Sequence, residues 1–277
     1  MEHGDLGRHS PVRRTGLVAL LLVLPLAAAC EGERYESFPA LVDDAVAAGL
    51  EVRSGGDFGI ERVRVVEAEG APFEEAIAVS FPAGSASLTA AREQGAPEGG
   101  AQAYLPRAAG PVDAALLRYW VRFPEGFDFV RGGKLPGLYG GTATAGRRLP
   151  DGSDGFSTRF MWREGGAAEV YAYLPGSEEH GTSLGRGAWS WPTGRWVRVE
   201  QEVHLNTPGE DDGSIEVRVD GETVLEERDL VFRDTDDLQV EGVFLSTFFG
   251  GDDRSWATPV DQEVLLGGFE LEPADVR

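Results

Sequence analysis

The sequence predicts an all-β protein, a β-jelly roll in which two antiparallel sheets form a sandwich. Apolar and polar residues alternate with period two in about ten short segments, at intervals of roughly 8–20 residues, as half-buried strands do. The 38 glycines and 16 prolines among 277 residues supply the turns between these segments. No strand–helix–strand rhythm is present, so a parallel sheet is not expected.

The first five such segments lie between residues 62 and 174. RVRVVEA, AIAVSF and AALLRYWVRF alternate along their whole length, which places apolar side chains on one face of each strand. FSTRFMW and EVYAYL follow, separated by a short turn that contains two glycines, and we expect these two to pair as a hairpin. The five predicted strands are residues 62–68, 76–81, 114–123, 156–162 and 169–174.

Five more segments lie between residues 195 and 271. RWVRVEQEVHL and IEVRV alternate clearly, and Asp220-Gly221 after them predicts a two-residue hairpin turn, because both residue types tolerate positive φ. The predicted strands are residues 195–205, 215–219, 224–225, 243–249 and 264–271.

The N-terminus has the pattern of a secretory signal. Arg13 and Arg14 precede an apolar run at residues 17–26, and three alanines and Cys30 follow it. The run is too short to span a bilayer as a helix. A cysteine directly after small residues resembles the cleavage site of bacterial lipoproteins, although Ala27 stands where leucine is usual.

These observations divide the chain into three parts. We assign residues 1–29 to a signal peptide, 30–50 to an N-terminal tether and 51–277 to one jelly-roll domain. We expect export, either as a lipoprotein anchored to the membrane through Cys30 or as a secreted protein, and we expect a monomer.

The charge of the chain restricts its partners. Acidic residues outnumber basic ones by 47 to 25, which gives a formal net charge of −22 at pH 7. Such a surface repels phosphate backbones, so no nucleic-acid partner is expected. A polyanionic substrate would need a locally basic cleft. Six basic residues in one stretch predict such a cleft: Arg131, Lys134, Arg147, Arg148, Arg159 and Arg163.

Several kinds of catalytic site are absent from the sequence. It has no GxSxG elbow, no HExxH helix, no phosphate-binding glycine loop and no dinucleotide fingerprint. The single cysteine excludes a disulfide framework and a cysteine-rich zinc site, and we predict no metal site. His180 and His204 are interpreted as solvated or structural side chains.

Lys134 is the only lysine of the chain. An ammonium can lose its proton when it is desolvated, whereas a guanidinium effectively cannot, so a single lysine among arginines suggests chemistry. It lies in GGKLPGLYGG, where glycines would let a ligand approach the backbone closely. The alternative is an ordinary surface lysine.

Four further polar residues are predicted to share one sheet face. Alternation places Ser157 and Arg159 opposite the aromatic residues of their strand, and Tyr171 and Tyr173 together on the next strand. Pairing of the two strands would bring Arg159 close to both tyrosines. The alternative is a solvent-facing polar sheet with tyrosines as cross-strand filler.

This set of residues matches β-elimination from a uronic acid. The weakly acidic C5 proton can be removed if the neighbouring carboxylate is neutralised, and Arg159 is suited to bind it. Tyr171 or Tyr173 could act as base or acid, Lys134 as base or second carboxylate clamp, and Ser157 could position the sugar. The residue types do not separate the base from the acid.

The chain also resembles a known family in ordered blocks. GGKLPGLYGG, FSTRFMW, EVYAYLP, LNTPGEDDGSIEVRVDG and STFFGGDDRSWATP are similar to conserved blocks of polysaccharide lyase family 14, and glucuronan lyases look similar too. The resemblance covers roughly residues 110–272. It implies a β-jelly roll that cleaves alginate or polyglucuronate by elimination without an organic cofactor. It also implies active-site roles for Lys134, Ser157, Arg159, Tyr171 and Tyr173.

The leading hypothesis is therefore an exported polysaccharide lyase acting on an anionic polysaccharide, a polyuronate. The first alternative is a non-catalytic carbohydrate-binding β-sandwich whose cleft holds a glycan without cleaving it. The second is a glycoside hydrolase with carboxylates dispersed over several strands.

Overall fold

The structure is a computed structural model that describes residues 48–142, 144–146, 148–178 and 180–275, without the side chain of Ser54. The predicted signal peptide at 1–29 and all but the last three residues of the predicted tether lie outside this range. Leu50, at the end of that tether, is buried and forms a β-bridge with Arg107. No helix among the described residues is long and apolar enough to cross a membrane.

Fourteen strands and one short α-helix make up the described part of the chain. The helix, α1, spans Leu88–Gln94; it begins at Ser87, whose hydroxyl accepts a hydrogen bond from the Ala90 amide, and ends at Gly95 with φ 63°. The strands are β1 Arg53–Phe58, β2 Val63–Glu67, β3 Glu75–Phe81, β4 Ala101–Pro106, β5 Ala114–Arg122, β6 Gly132–Gly141, β7 Gly155–Arg163, β8 Ala168–Tyr173, β9 Thr182–Leu184, β10 Trp196–His204, β11 Gly213–Val219, β12 Glu222–Leu230, β13 Gly242–Phe249 and β14 Gln262–Pro273.

The strands form two antiparallel seven-stranded sheets. The first, which we call the site sheet, has the order β1-β4-β13-β6-β7-β8-β9, and the second has the order β12-β11-β10-β5-β14-β3-β2. Strands distant in sequence are neighbours in both sheets, as in β4-β13-β6, which is the connectivity of a jelly roll. The predicted fold class is therefore confirmed.

The core lies between the two sheets and fixes the orientation of β7. Trp162 is fully buried, with its ring centroid 6.0 Å from that of Phe81, 5.5 Å from Phe123 and 5.3 Å from Phe249. Since side chains alternate along a strand, anchoring Trp162 inward turns its odd-numbered neighbours, including Arg159, to the outer face of the site sheet.

The ten strands predicted from alternation are all present. Nine have boundaries within two residues of the predicted ones, whereas the strand predicted at 224–225 extends over Glu222–Leu230. The hairpin turn at Asp220-Gly221 is also confirmed, with φ angles of 51° and 87°. The prediction omitted β1, β4, β6 and β9.

The omission of β6 matters most, because this strand carries Lys134 in the middle of the site sheet. Glycine and proline are rare in central strands in general, so the glycines and the proline of β6 did not indicate a strand. Here the register shifts between Leu135 and Gly137, which accommodates Pro136. At Gly133 a Cβ atom would lie 2.1 Å from the Trp162 ring, so only glycine fits against that core residue.

Candidate active site

A groove of about 620 Å³ crosses the outer face of the site sheet. Its floor consists of side chains from β6, β7 and β8, and its walls come from α1, from the segment after β13 and from the loops that flank the β7–β8 hairpin. The floor residues are Lys134, Arg159, Met161, Arg163, Tyr171 and Tyr173. The structure thus brings four of the five predicted site residues into one groove.

Strand register explains why these residues meet. Neighbouring strands place directly opposed side chains on the same face, about 5 Å apart. The rows across the outer face are Lys134–Met161–Glu169, then Arg159–Tyr171, then Tyr139–Ser157–Tyr173. Residues far apart in sequence therefore become neighbours over three strands.

Lys134 is a desolvated amine that contacts a thioether and an aromatic ring. Only 9% of its surface is exposed; its Nζ atom lies 2.8 Å from Met161 Sδ and 3.6 Å from the centroid of the Tyr171 ring. Among the described residues no carboxylate forms an ion pair with it. Burial, and then the nearby charges of Arg159 and Arg163, hold the pKa of Lys134 well below its ordinary value. The amine is thereby poised to accept a proton.

Arg159 is a buried cation whose guanidinium N–H groups are only partly used in hydrogen bonds to the described residues. It is 2% exposed, its Nη1 donates to Ser246 Oγ at 3.1 Å, and its Nε has no hydrogen-bond partner in the part of the chain that the structure describes. The guanidinium carbon lies 4.6 Å from the centroid of Phe244 and 5.6 Å from that of Tyr173. Burial lowers the pKa of Arg159, but a guanidinium remains charged in proteins. A buried, unpaired guanidinium strongly favours an incoming anion.

Both tyrosines are held in the protonated form. Burial, followed by the neighbouring Tyr173, raises the pKa of Tyr171 to about 12. Burial also raises the pKa of Tyr173, against the opposing effects of Arg159 and of hydrogen bonds from the backbone N–H groups of Gly146 and Gly181. The two rings meet edge to face, with centroids 5.8 Å apart. At neutral pH each phenol is therefore a proton donor.

Comparison with known proteins assigns the chain to a family. The family model "Polysaccharide lyase 14" matches residues 70–269. The chain belongs to polysaccharide lyase family 14. It is 31% identical to the PL-14 alginate lyase of Aplysia kurodai, with a TM-score of 0.70 over 79% of this chain and 90% of that one.

Two more distant structures share the fold of this family 14 lyase. Alginate lyase vAL-1 from Chlorella virus is 23% identical, with a TM-score of 0.71 over 84% of this chain and 96% of that one. The endo-β-1,4-glucuronan lyase of the fungus Trichoderma reesei is 14% identical, with a TM-score of 0.53 over 80% of this chain and 90% of that one. No curated protein matches the chain.

Ser157, the fifth predicted residue, is fully buried in this lyase. Its hydroxyl donates to the Thr144 carbonyl oxygen at 2.6 Å, and the Thr144 side chain in turn bonds the Tyr104 hydroxyl at 2.8 Å. The residues after Thr144, Ala145 and Gly146, line the groove. Ser157 thus holds a groove wall in place, and its predicted contact with substrate stays a prediction.

The predicted basic cleft is present only at the floor. Lys134, Arg159 and Arg163 line the groove there, whereas Glu93, Asp252 and Asp253 line its walls. Of the other basic residues named above, Arg131 stacks on Trp256, Arg148 pairs with Asp154, and Arg147 lies outside the described residues. Despite these acidic walls, the described residues contain no group of three His, Cys, Asp or Glu side chains placed to hold a metal ion.

Sequence reasoning missed the groups that hold Arg159. Gln102 and Ser246 lie on β4 and β13, where Ser246 Oγ is 3.3 Å from Gln102 Oε1. Ser246 is 87 positions from Arg159 in sequence, and Gln102 is 144 positions from Ser246, so no local pattern links either residue to Arg159. Met161 and Glu169 could have been found, because alternation already placed them on the face of Arg159 and of Tyr171.

Gly181 sets the position of both tyrosine rings. A Cβ atom there would lie 2.9 Å from Tyr171 Cε1 and 2.9 Å from Tyr173 Cε2, which is closer than real contacts allow. We expect Gly181→Ala to displace the rings and lower kcat/KM for polysaccharide cleavage about 10- to 100-fold. Initial rates of the purified variant would measure the loss.

Gly176→Ala is the matched control in the same loop. Gly176 has φ 82°, and a Cβ atom on it would have no neighbouring atom within 4 Å, so alanine there strains the turn without touching either ring. It should lower the melting temperature while the cleavage rate stays close to that of wild type. An equal loss of activity in both variants would contradict the proposed packing effect.

Proposed function

We propose that this family 14 lyase cleaves a polyuronate, alginate or glucuronan, by β-elimination at Lys134, Arg159, Tyr171 and Tyr173. One observation carries the proposal: a buried amine and a buried guanidinium lie in the same groove, and no carboxylate of the described residues forms an ion pair with either of them. A uronate ring supplies what each lacks, a carboxylate for the guanidinium and an acidic C5 proton for the amine. The activities of the Aplysia, Chlorella virus and Trichoderma proteins support this substrate class.

In this mechanism Arg159 neutralises the uronate carboxylate. Its free Nε and its Nη atoms offer a planar fork that matches a carboxylate bidentately. The Tyr173 hydroxyl accepts from the backbone of Gly146 and Gly181, so its own proton is free for the same carboxylate. Neutralisation stabilises the negative charge that develops when the C5 proton leaves.

Lys134 is the base and Tyr171 the acid. The amine is desolvated and takes the C5 proton, whereas a phenol with a pKa of about 12 is protonated and cannot serve as a base at neutral pH. The electrons of the C5–H bond form the C4=C5 double bond, the C4–O4 bond breaks, and the Tyr171 proton passes to O4. The lysine then returns its proton to the nearby tyrosinate.

A panel of polyuronates tests this function directly. We expect the purified lyase to produce ultraviolet absorbance from the C4=C5 double bond conjugated with the carboxylate, on alginate, glucuronan or both. New reducing ends without that absorbance would indicate a hydrolase instead. Binding of the glycan without any product, unchanged by Lys134→Ala, would indicate the carbohydrate-binding sandwich.

We also propose that the chain acts outside the cytoplasm as a monomer. Arg13, Arg14, the apolar run at 17–26 and Cys30 support export and lipid attachment. Fractionation of expressing cells should place the wild type in the membrane and Cys30→Ser in the soluble exported fraction. Retention of both proteins in the cytoplasm would contradict export, and light scattering would give the oligomeric state.

A further inference from the structure

Glu169 is a fully buried carboxylate on the outer face of the site sheet. Its Oε1 accepts from Arg163 Nε at 2.8 Å, and the exposed Arg186 places its Nε 3.8 Å from Oε2. Oε2 accepts no hydrogen bond from the residues that the structure describes. Buried carboxylate oxygens are normally satisfied, so one without a donor requires an explanation.

The position of Glu169 relative to Lys134 offers an explanation for this carboxylate oxygen. Both side chains are opposite Met161 in adjacent strands, so they flank it in one row on the outer face. The charges that act on Lys134 are Arg159 and Arg163 from β7, Glu169 from β8 and Asp252 from the segment after β13, and the uncharged Tyr171 ring covers its Nζ. Glu169 is the only fully buried carboxylate among these four charges.

In the resting site, burial and the two nearby guanidinium groups favour the neutral form of the amine, which gains little from a carboxylate. The situation changes when Lys134 takes the C5 proton. An ammonium then exists beside two guanidinium groups in a desolvated pocket, where charge repulsion is strong. Glu169 is an anion already in place; its Oε2 accepts no hydrogen bond from the described residues and has the exposed Arg186 as its ion-pair partner. Such an anion lowers the energy of that state without reorganisation.

We propose that Glu169 is a positioning residue that stabilises the ammonium form of Lys134 during proton transfer, with Arg163 holding the carboxylate in place. The proposal rests on the proposed function, since it requires Lys134 to be the base. The role of Glu169 is electrostatic: it acts through Lys134 and exchanges no proton with the substrate.

The single lysine makes a direct test possible. In protein labelled with ¹³C at lysine Cε, the whole chain gives one lysine side-chain signal, whose shift against pH reports the protonation of Lys134. We expect Glu169→Gln to lower the pKa of Lys134 and Arg163→Gln to raise it. Glu164→Gln makes the same chemical change at an exposed glutamate of the β7–β8 turn and should leave the titration unchanged.

Kinetics provide the second readout. The acid limb of the kcat/KM profile against pH should move to lower pH in Glu169→Gln, and the plateau should fall by up to about tenfold for each pKa unit lost by Lys134. A purely structural role for Glu169 would lower the plateau and leave the limb in place. Circular dichroism and melting temperature establish that the variants are folded.

Each outcome decides the proposal. A Lys134 titration in Glu169→Gln that coincides with wild type, or lies above it, overturns the role of Glu169. If that variant does not fold, Glu169→Asp replaces it: the withdrawn carboxylate should lower the pKa of Lys134 by a smaller amount, and an unchanged value overturns the proposal. The labelled signal titrates whether or not the protein cleaves polyuronates, so failure of the proposed function is detected separately.

Discussion

Lys134→Met is expected to abolish elimination and to make the protein more stable. Loss of a general base lowers kcat/KM by roughly 10³- to 10⁴-fold. Methionine has a similar length and no charge. In the wild type, the Lys134 amine is buried beside Met161, and no described carboxylate forms an ion pair with it. Removing a polar group from such a site should raise the free energy of unfolding by about 1 kcal/mol, or the melting temperature by about 2–4 °C.

The stability gain of Lys134→Met should depend on pH with a defined sign. The pKa of Lys134 is lower in the folded chain than in the unfolded chain, where it is about 10.4. Between these two values the unfolded chain binds a proton that the folded chain does not, so the wild type loses stability as pH falls. The gain from methionine should therefore be largest below the folded-state pKa of Lys134 and shrink as the pH rises towards about 10.

Lys134→Arg separates charge from basicity. It keeps a cation in the groove but cannot supply a neutral base, so it should be as inactive as Lys134→Met. Initial rates of double-bond formation and thermal melts at two pH values measure all these effects. Substantial activity in the arginine variant would show that the position needs only positive charge.

The β7–β8 hairpin is the part of the site that the sequence predicts well. Phe160 and Trp162 belong to the core, and a period of two then forces Arg159 to the opposite face. The short turn allows only antiparallel pairing, which places Arg159 opposite Tyr171. Local pattern suffices here because both strands are consecutive and their apolar face is unambiguous.

The surroundings of the hairpin could not be predicted in the same way. β6 has few β-branched residues and contains Pro136, so its place at the centre of the sheet depends on contacts with β13 and β7 that no local pattern reveals. The same holds for Ser246, which reaches Arg159 from β13. The acidic walls escaped prediction because Asp252 and Asp253 follow β13, more than 70 positions beyond the hairpin.

Arg159→Met should remove the preference of the enzyme for a free carboxylate. Methionine leaves the substrate anion without its partner in the groove, so kcat/KM on a polyuronate should fall by about 10²- to 10³-fold. The methyl ester of the same polymer has no charge to neutralise, and its cleavage should change far less. The decisive quantity is the ratio of kcat/KM for free acid to that for ester, which should fall in the variant.

Two variants show which property of Arg159 matters. Arg159→Lys keeps the charge but loses the planar fork and the free Nε, so it should recover only part of the ratio. Arg148→Met removes an arginine that is exposed, paired with Asp154 and outside the groove, and it should leave the ratio at the wild-type value. Only a residue that binds the carboxylate distinguishes the two substrates by their charge. If Arg159→Met lost activity equally on the free acid and on the ester, the guanidinium would therefore be supporting the groove rather than binding the carboxylate.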